Sequence, residues 1–247
     1  MVEFCWDDQA KLKGYQPVID PRDQLGFKNS LIDAIHWKAI HPKLLNSSRF
    51  LDFGCGIGRF ASRIIDLGID YYGVDSSAKM VDAAKIAQKN LLSKFFQFNG
   101  IEIPFEADNF DTCLLCGVFQ YIMGTSSQKK IVDELHRILV ANGSLILLEQ
   151  SSLSNKTSGT VTQVSTELDY IKALGKKFEI KDIRRIRRSE FLTSTKYFLH
   201  FAQYLPGVFH ILLDFIAKNE IHWCQKANES YFSEVDYYDI LIEAIAK

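Results

Sequence analysis

Two carboxylates and three closely spaced glycines are the residues of this chain best suited to hold a charged small molecule. Asp52 lies near the end of a short apolar run, and Gly54, Gly56 and Gly58 follow it at alternate positions. A helix-compatible segment begins directly afterwards, so the order is strand, tight turn and helix. Glycines at such a turn let backbone N–H groups and a helix N-terminus approach a ligand that side chains would hold off. The pattern therefore predicts a small-cofactor site and favours an enzyme over a scaffold.

The second carboxylate narrows the choice of cofactor. Asp75 follows the apolar run 71–74 at the end of the next predicted strand. A carboxylate there can accept both ribose hydroxyls of an adenosine, and it disfavours a 2′-phosphate. The G-x-G-x-G spacing differs from the NAD fingerprint, and Asp52 suits an ammonium group better than a pyrophosphate. A ribose, an amine and no large anion at the turn fit S-adenosylmethionine, whereas NADP does not fit.

Apolar periodicity supplies the elements that would position these residues. Short apolar strands alternate with amphipathic helices from residue 49 to residue 149. This alternation indicates an α/β fold with a parallel sheet, right-handed crossovers and helices on both faces. We expect strands at 49–53, 70–74, 95–98, 110–116 and 144–149, and helices at 59–67, 77–91 and about 126–140, the last stopping at Asn142-Gly143.

The last third of the chain departs from that alternation. The elements expected there are a mobile polar loop at 151–160, a helix at 162–174, a strand at 178–187, two short amphipathic helices within 191–217 divided at Pro206-Gly207, and an apolar strand at 238–245. Residues 1–45 are predicted to form an N-terminal arm and helix that act as a lid. Residues 46–247 would then form the main domain, with a helical insertion at about 189–230.

Several short motifs occur together in the first two thirds of the chain. They are LDFGCGIGRF at 51–60, YGVDSS at 72–77 with Met80, IPF at 103–105 before NFD at 109–111, CGVFQYI at 116–122, and LHRIL at 135–139 before NGSL at 142–145. In combination they resemble the class I S-adenosylmethionine-dependent methyltransferases. The resemblance implies a Rossmann-like, seven-stranded, mostly parallel sheet with an antiparallel last strand and a helical insertion before that strand.

The resemblance also implies which residues bind the cofactor, and it assigns no catalytic residue. The methionine part would lie against Asp52, Gly54, Cys55, Gly56 and Gly58, the ribose against Asp75, the adenine against Ser76, Met80, Asn99 and Gly100, and the transferable methyl against Cys116 and Gly117. Asn99 departs from the acid that the family often has there, although its amide oxygen can still accept from the adenine amine. Tyr15, His200 and His222 are candidate bases near the expected mouth, but no motif surrounds any of them.

Composition and charge limit the partners. The formal net charge of −1 gives no general attraction to nucleic acid. The chain shows no signal-peptide pattern and no apolar run long enough to span a membrane, so we expect a cytoplasmic protein. The five cysteines are expected to be reduced, and no cluster of metal ligands is evident, so no metal site is predicted.

A basic segment offers the main clue to the acceptor. Seven basic residues lie within 176–188, and the aromatic segment 191–217 follows directly. The basic residues fit either a solvated strand face or a site for an anionic acceptor or an acidic membrane surface. The aromatic segment fits either a lid or a pair of interfacial helices, so peripheral membrane contact through 176–217 is one expectation.

The leading functional hypothesis is transfer of a methyl group from S-adenosylmethionine to an oxygen or nitrogen of a small-molecule or glycan acceptor, leaving S-adenosylhomocysteine. Two alternatives remain open. One is a nucleotide-dependent oxidoreductase, and the other is a non-catalytic binding module that keeps the methyltransferase fold.

Overall fold

A seven-stranded mixed sheet forms the centre of the fold. The computed structural model describes residues 5–122, 124–153, 156–158, 162–189, 206–232 and 235–247. The strands are β1 (Arg49–Phe53), β2 (Asp70–Asp75), β3 (Phe95–Gln97), β4 (Phe110–Cys116), β5 (Leu139–Ser151), β6 (Lys156–Ser158), β7 (Thr162–Val164), β8 (Phe178–Arg188) and β9 (Tyr238–Ala246). The α-helices are α1 (Trp6–Gln9), α2 (Phe27–Ile40), α3 (Ala61–Ile65), α4 (Ala78–Ala87), α5 (Thr125–Ile138), α6 (Glu167–Leu174), α7 (Pro206–Lys226) and α8 (Glu229–Phe232).

The strand order places a crevice beside the glycine turn. The order across the sheet is β3-β2-β1-β4-β5-β9-β8, and β1 to β5 pair in parallel. Strand β9 is antiparallel to both of its neighbours, so it alone among the described strands of this sheet runs in the reverse direction. The chain leaves β1 toward β2 on one side and reaches β4 on the other, and ligands bind at such switch points. The predicted Rossmann-like sheet with a reversed last strand is confirmed.

A separate apolar cluster covers each face of the sheet. Successive strand side chains point to opposite faces. On β4, Cys113 and Leu115 accordingly belong to one cluster and Leu114 to the other. Helices α5 and α6 contribute to the first cluster, and α2, α3 and α4 contribute to the second. Each fully buried large aliphatic side chain stabilises the fold by about 1.5–3 kcal/mol, so both layers fix the strand ends that carry the site.

The helix before β8 is shorter than the sequence predicted. Instead of a helix over 162–174, residues Thr162–Val164 form β7, and α6 begins only at Glu167. The side chain of Thr166 accepts a hydrogen bond from the Asp169 amide at 3.2 Å, and the Asp169 carboxylate accepts one from the Thr166 amide at 3.2 Å. This capping box fixes the first turn of α6 and excludes the preceding residues from the helix.

The boundary between α5 and β5 also differs from the prediction. Helix α5 ends at Ile138, and β5 begins at Leu139 and continues through Asn142-Gly143. Asn142 has φ 63°, and the pairing with β4 changes register between Leu139 and Ser144. Asn142-Gly143 therefore bends a strand and does not end a helix. The sequence could not distinguish the two, because Asn and Gly tolerate a left-handed backbone both at a helix end and within a bent strand.

Two further segments of the last third depart from expectation. Part of the polar segment 151–160 forms β6, which pairs antiparallel with β7. Helix α7 begins at Pro206 and runs to Lys226, beyond the predicted end at 217, as expected for proline at the start of a helix. The first of the two short helices predicted within 191–217 lies outside the described residues. No helix in the described ranges is long and apolar enough to cross a membrane.

Candidate active site

The glycine turn after β1 is held open by backbone geometry. Gly54 has φ 72° and Gly56 has φ 53°, a region that residues with a Cβ rarely adopt. A Cβ at Gly54 would lie 2.4 Å from a methyl group of Val118, and one at Gly56 would lie 2.5 Å from a methyl group of Val18. The turn therefore presents bare backbone to the crevice at Gly54 and Gly56, where a side chain would not fit.

Asp75 ties this turn to the end of β2. Its carboxylate accepts a hydrogen bond from the Gly56 amide at 2.9 Å and another from the Ser77 amide at 2.9 Å. Burial raises the pKa of Asp75, and the amides of Ser77 and Gly56 oppose that shift. The carboxylate thus stands fixed at the crevice, where its remaining lone pairs can accept hydrogen bonds from a ligand.

A cavity of about 430 Å³ lies over the turn. Eight of the predicted cofactor-binding residues line it: Gly54, Gly56, Asp75, Ser76, Met80, Gly100, Cys116 and Gly117. Apolar walls come from Phe53, Phe98, Ile101, Val118, Ile122 and Ile131. A backbone cradle, a carboxylate at the end of β2 and an apolar slot between them fit the methionine, ribose and adenine parts of S-adenosylmethionine. We therefore call this first cavity the cofactor cavity.

The other four predicted residues do not line this cavity. Asp52 lies beneath the turn, 3% exposed, and accepts a hydrogen bond from the Tyr71 hydroxyl at 2.9 Å. Burial raises the pKa of Asp52 to about 7 against the opposing effect of that hydrogen bond. Cys55 is buried, and a Cβ at Gly58 would lie 2.7 Å from the ring of Phe95. These three residues therefore support the turn from behind.

Asn99, the fourth, faces its own loop. Its side-chain oxygen accepts hydrogen bonds from the amides of Ile101 and Glu102, at 3.0 and 2.8 Å. The side chain thus closes a local Asx-type turn, which holds Gly100 and Ile101 at the cavity wall.

A second cavity of about 440 Å³ adjoins the first. The two share Trp6, Val18, Cys116, Gly117 and Tyr121 in their walls. We call the second one the charged chamber, because its lining includes Asp20, Arg22, Lys28, His36, Arg59, Glu149, Arg187 and Asp239. A molecule in the chamber would lie next to Cys116 and Gly117, at the end of β4.

A buried ion-pair network forms one side of the charged chamber. Arg187 donates to both carboxylate oxygens of Asp239, at 2.6 and 2.8 Å, and His36 Nε2 lies 2.9 Å from the same carboxylate. Arg59 Nη2 lies 3.1 Å from His36 Nδ1 and 2.9 Å from the sulfur of Cys116. Because a guanidinium only donates, His36 Nδ1 must accept and Nε2 must donate to Asp239.

Burial and neighbouring charge set the protonation of this network. Burial lowers the pKa of His36, with the Asp239 carboxylate opposing the shift. Burial acts to raise the pKa of Asp239, but Arg187 and His36 prevail and lower it to about 2. His36 is therefore neutral and Asp239 ionised near neutral pH, so both nitrogens of the imidazole are engaged in holding the network together.

The N-terminal arm covers both cavities. The ring of Trp6 packs edge-on against Tyr121 at 4.8 Å between centroids. The hydroxyl of Ser77 donates to the carboxylate of Asp7 at 2.5 Å, which fastens α1 beside the start of α4. Val18 lies over Gly56. Residues of the arm thus form part of the wall of both cavities, and its action as a lid stays a prediction.

The sequence identified few residues of the charged chamber: Cys116 and Gly117 as cofactor contacts, and Arg187 only as one of the seven basic residues within 176–188. Of the candidate bases, Tyr15 and His222 line other cavities, and His200 lies outside the described residues. A usable signal was present, because His36 and Asp239 each interrupt an apolar run in which a polar side chain would need a buried partner. The identity of those partners depends on long-range packing that the local sequence does not reveal.

The basic segment at 176–188 is largely neutralised. Six of its seven basic side chains pair with carboxylates: Lys177 with Asp133, Lys181 with Glu179, Arg184 with Asp182, Arg185 with Glu167, Arg187 with Asp239 and Arg188 with Glu220. Among them only Arg187 reaches the charged chamber. The segment thus contributes one cation to the candidate site and otherwise stabilises β8 and its neighbours.

Comparison with known proteins gives a partial sequence match. Residues 51–147 match the model of a family described as a methyltransferase domain. A protein of Mycobacterium tuberculosis named as an uncharacterised methyltransferase is 31% identical over 86 residues, which are 35% of this chain and 34% of that protein. The chain therefore spans about a third of the length of that relative. The family match at 51–147 covers the glycine turn, Asp75 and the end of β4.

Solved structures extend the likeness to most of the chain. The PH0226 protein of Pyrococcus horikoshii matches with a TM-score of 0.59 and 14% identity, over 96% of this chain and 100% of that one. An S-adenosylmethionine-dependent methyltransferase of Mesorhizobium loti matches with a TM-score of 0.59 and 16% identity, over 87% of this chain and 99% of that one. At these identities the likeness establishes the fold.

Proposed function

We propose that this chain, a member of the class I S-adenosylmethionine-dependent methyltransferases, transfers a methyl group from S-adenosylmethionine to a small-molecule or glycan acceptor. The observation that carries the proposal is the bare-backbone cradle at Gly54 and Gly56 beside the fixed carboxylate of Asp75. Bound there, S-adenosylmethionine supplies an activated methyl group on a sulfonium centre. The residues of the chain bind it, orient it and exclude water.

Binding and alignment account for most of what these residues would do. Asp75 would accept hydrogen bonds from the ribose hydroxyls, and the turn would bring its amides to the methionine part. Phe98, Ile101 and Met80 would enclose the adenine. Alignment of the acceptor atom with the methyl group at about 3–3.5 Å can supply much of the rate acceleration, and the lid formed by the arm would keep the reacting centre dry.

The charged chamber is the proposed acceptor site. It opens onto Cys116 and Gly117, which border the first cavity, and its volume of about 440 Å³ suits a small molecule or a short glycan unit. At its mouth, Arg22 and Lys28 both pair with the single carboxylate of Asp20, at 3.3 and 2.5 Å. This local excess of positive charge supports an acceptor with an anionic group.

Calorimetry tests the cofactor part of the proposal. We expect S-adenosylmethionine and S-adenosylhomocysteine to bind with one site per chain, and NAD to give no heat. Tight binding of NAD without binding of S-adenosylhomocysteine would instead support a nucleotide-dependent oxidoreductase.

Methyl transfer requires a second experiment. The protein is incubated with S-adenosylmethionine carrying a labelled methyl group and a fractionated metabolite extract, and labelled products are sought by mass spectrometry. A labelled small molecule or glycan supports the proposal. Cofactor binding with no transfer to any fraction would favour the non-catalytic module.

A further inference from the structure

Glu149 is a buried carboxyl group that the cofactor site does not use. It follows Leu148, whose strand partner is Cys116 and whose carbonyl accepts a hydrogen bond from the Gly117 amide at 2.8 Å. Glu149 therefore lies beside the end of β4, where the two cavities meet. It lines the charged chamber and is 1% exposed.

One oxygen of this carboxyl group is fixed by the backbone, and the other has no partner. Oε1 accepts hydrogen bonds from the amides of Val118 and Phe119, both at 2.8 Å. Oε2 is buried and completes no hydrogen bond with the described residues. An unpaired buried carboxyl oxygen is costly. Oε2 has no solvent contact in the acceptor-free protein, so a hydrogen-bond donor on a bound acceptor would satisfy it once the side chains that line the chamber around it move aside.

The two carboxyl groups on the inner wall of the chamber differ in their environment. Burial raises the pKa of Glu149 to about 7 against the opposing amides of Phe119, Val118 and Gln120. The Arg187 guanidinium keeps Asp239 ionised, and both oxygens of Asp239 are occupied. Pairs of carboxyl groups whose pKa values are driven apart commonly mark acid–base roles. Only Glu149 has both a free oxygen and a pKa near neutrality.

We propose that Glu149 is the catalytic base for methyl transfer: its Oε2 accepts the hydrogen bond, and then the proton, of a protic acceptor bound in the charged chamber. This inference rests on the proposed methyltransferase function and adds a chemical class to it. The acceptor atom carries a hydrogen, as in a hydroxyl group, an amine or a thiol.

The proton and the electron pairs balance in a single displacement. The acceptor atom forms a bond to the methyl carbon while its own bond to hydrogen breaks, and the proton passes to Oε2 of Glu149. The electron pair of the broken carbon–sulfur bond stays on sulfur, which becomes neutral. Glu149 is left uncharged, a state that its buried position favours.

The other ionisable groups around Glu149 keep one charge state near neutral pH. Those that face it are Asp239 from β9, Cys116 from β4, Tyr121 from the turn after β4 and Tyr170 from α6. Burial raises the pKa of Cys116 and of Tyr121 to about 12, and it also raises that of Tyr170. Across the chamber, Arg59 and Arg187 remain charged and His36 neutral. A transition near pH 7 would therefore belong either to Glu149 or to Asp52 beneath the glycine turn, whose pKa burial also raises to about 7. The variants Glu149→Gln and Asp52→Asn distinguish the two.

The principal test replaces Glu149 with Gln. The amide oxygen can still accept from the Val118 and Phe119 amides, so the local fold is preserved. We expect labelled-methyl transfer into the metabolite extract to fall by about 100-fold or more, and the rise in rate through about pH 7 to disappear. Affinity for S-adenosylhomocysteine should stay within about twofold, because Glu149 does not line the cofactor cavity. Transfer at the wild-type rate by the Glu149→Gln protein would overturn the proposal.

The matched control is Glu179→Gln, the same chemical change on β8 outside both cavities. It should leave the rate and its pH profile unchanged. An equal loss in both variants would show that Glu149 has no specific role and would also overturn the proposal.

An infrared titration tests Glu149 without an acceptor. In the wild-type protein saturated with S-adenosylhomocysteine, a protonated-carboxyl band should disappear with a midpoint near pH 7, and Glu149→Gln should remove that band. Asp52→Asn identifies the separate band of the other buried acid. If no band near neutral pH can be assigned to Glu149, the proposal that Glu149 is the catalytic base is rejected. Failure of the wild-type protein to bind S-adenosylhomocysteine at all would instead count against the proposed function.

Discussion

The two cavities meet at Cys116 and Gly117, yet their walls are built in different ways. The cofactor cavity is formed by bare backbone, one fixed carboxylate and apolar side chains. The charged chamber is formed by ionised side chains that are buried against one another, such as Arg187 and Asp239. A backbone wall tolerates loss of a distant side chain, whereas a wall of paired charges fails when one partner is removed.

The same contrast concerns what each cavity can recognise. Backbone amides and a single carboxylate suit a ligand of constant structure. A chamber of charged side chains can change its specificity through a few substitutions, because function in such folds depends on side chains placed on a common scaffold. Substitutions made in one wall at a time separate the two cavities.

Arg187→Met should have the largest effect, and it should be on stability. The substitution leaves the Asp239 carboxylate, 2% exposed, without its main partner. Removal of one partner of a buried ion pair costs about 3–5 kcal/mol. Urea denaturation measures the loss, and calorimetry on the folded variant should show an unchanged affinity for S-adenosylhomocysteine.

The control for Arg187→Met is Lys181→Met on the same strand. Lys181 pairs with Glu179, and both side chains are about half exposed. Exposed pairs of this kind contribute little, so the midpoint of denaturation should barely move. Similar losses for the two variants would contradict the distinction between the buried network and the surface of β8.

Glu149→Gln should change the pH dependence of stability. The pKa of Glu149 is about 7 in the folded protein, against 4.5 for an unperturbed glutamate side chain, so the folded state holds the proton more tightly than the unfolded state does. The stability that this group provides is full below about pH 4.5 and is lost as the pH rises through 7. Glutamine cannot ionise, so its contribution to stability does not change with pH. The free energy of unfolding of the variant should therefore rise relative to that of the wild-type protein across this range, by up to about 3 kcal/mol at pH 8.

Denaturation curves at pH 4.5, 6, 7 and 8 measure this difference between the two proteins. Glu179→Gln, which changes an exposed carboxylate, should show no such gain. A constant difference between wild type and Glu149→Gln at all four pH values would mean that burial does not raise the pKa of Glu149.

The sequence predicted the cofactor cavity far better than the charged chamber, and the reason is physical. Residues such as Gly54 and Gly56 are close together in the sequence, and the backbone conformation that they need restricts residue type at each position. Asp75 could be located because parallel strands place their ends at one edge of the sheet. The fold itself followed from strand and helix periodicity over the same segment.

The charged chamber could not be found in this way. His36, Arg59 and Glu149 come from distant parts of the chain, and the local sequence around each of them does not show which side chains it meets. Their significance depends on burial and on partners that only the tertiary structure brings together. Asn99 and Asp52 were predicted from their positions in motifs, but a motif position does not show where a side chain points. The side chain of Asn99 accepts a hydrogen bond from its own loop, and that of Asp52 accepts one from the Tyr71 hydroxyl.

Asp75→Ala should weaken the cofactor cavity without affecting the chamber. The change removes a charged acceptor for the ribose hydroxyls and also the partner of the Gly56 and Ser77 amides. Loss of charge-assisted hydrogen bonds costs about 1.5–3 kcal/mol, so the dissociation constant for S-adenosylhomocysteine should rise by about 10- to 150-fold. The dissociation constant of Asp75→Asn, which keeps one acceptor oxygen, should lie between those of the wild-type protein and Asp75→Ala. Unchanged affinity for S-adenosylhomocysteine in folded Asp75→Ala would show that Asp75 does not bind the cofactor.

Gly54→Ala should have the smallest effect, and it tests whether the cradle depends on bare backbone. A Cβ at this position would meet a methyl group of Val118 at 2.4 Å, in a backbone conformation with φ 72°. The turn must shift to relieve that contact, so we expect affinity for S-adenosylhomocysteine to fall by about tenfold, or about 1.4 kcal/mol. Gly68→Ala is the control, because Gly68 has φ 80° but nothing within 4 Å of its added Cβ, and it lies outside both cavities. Both substitutions place an alanine in a left-handed backbone conformation, but only Gly54→Ala should lose affinity for S-adenosylhomocysteine. Equal affinities of the two variants for S-adenosylhomocysteine would mean that the turn accepts a side chain at position 54. The wall of the cofactor cavity would then not depend on bare backbone.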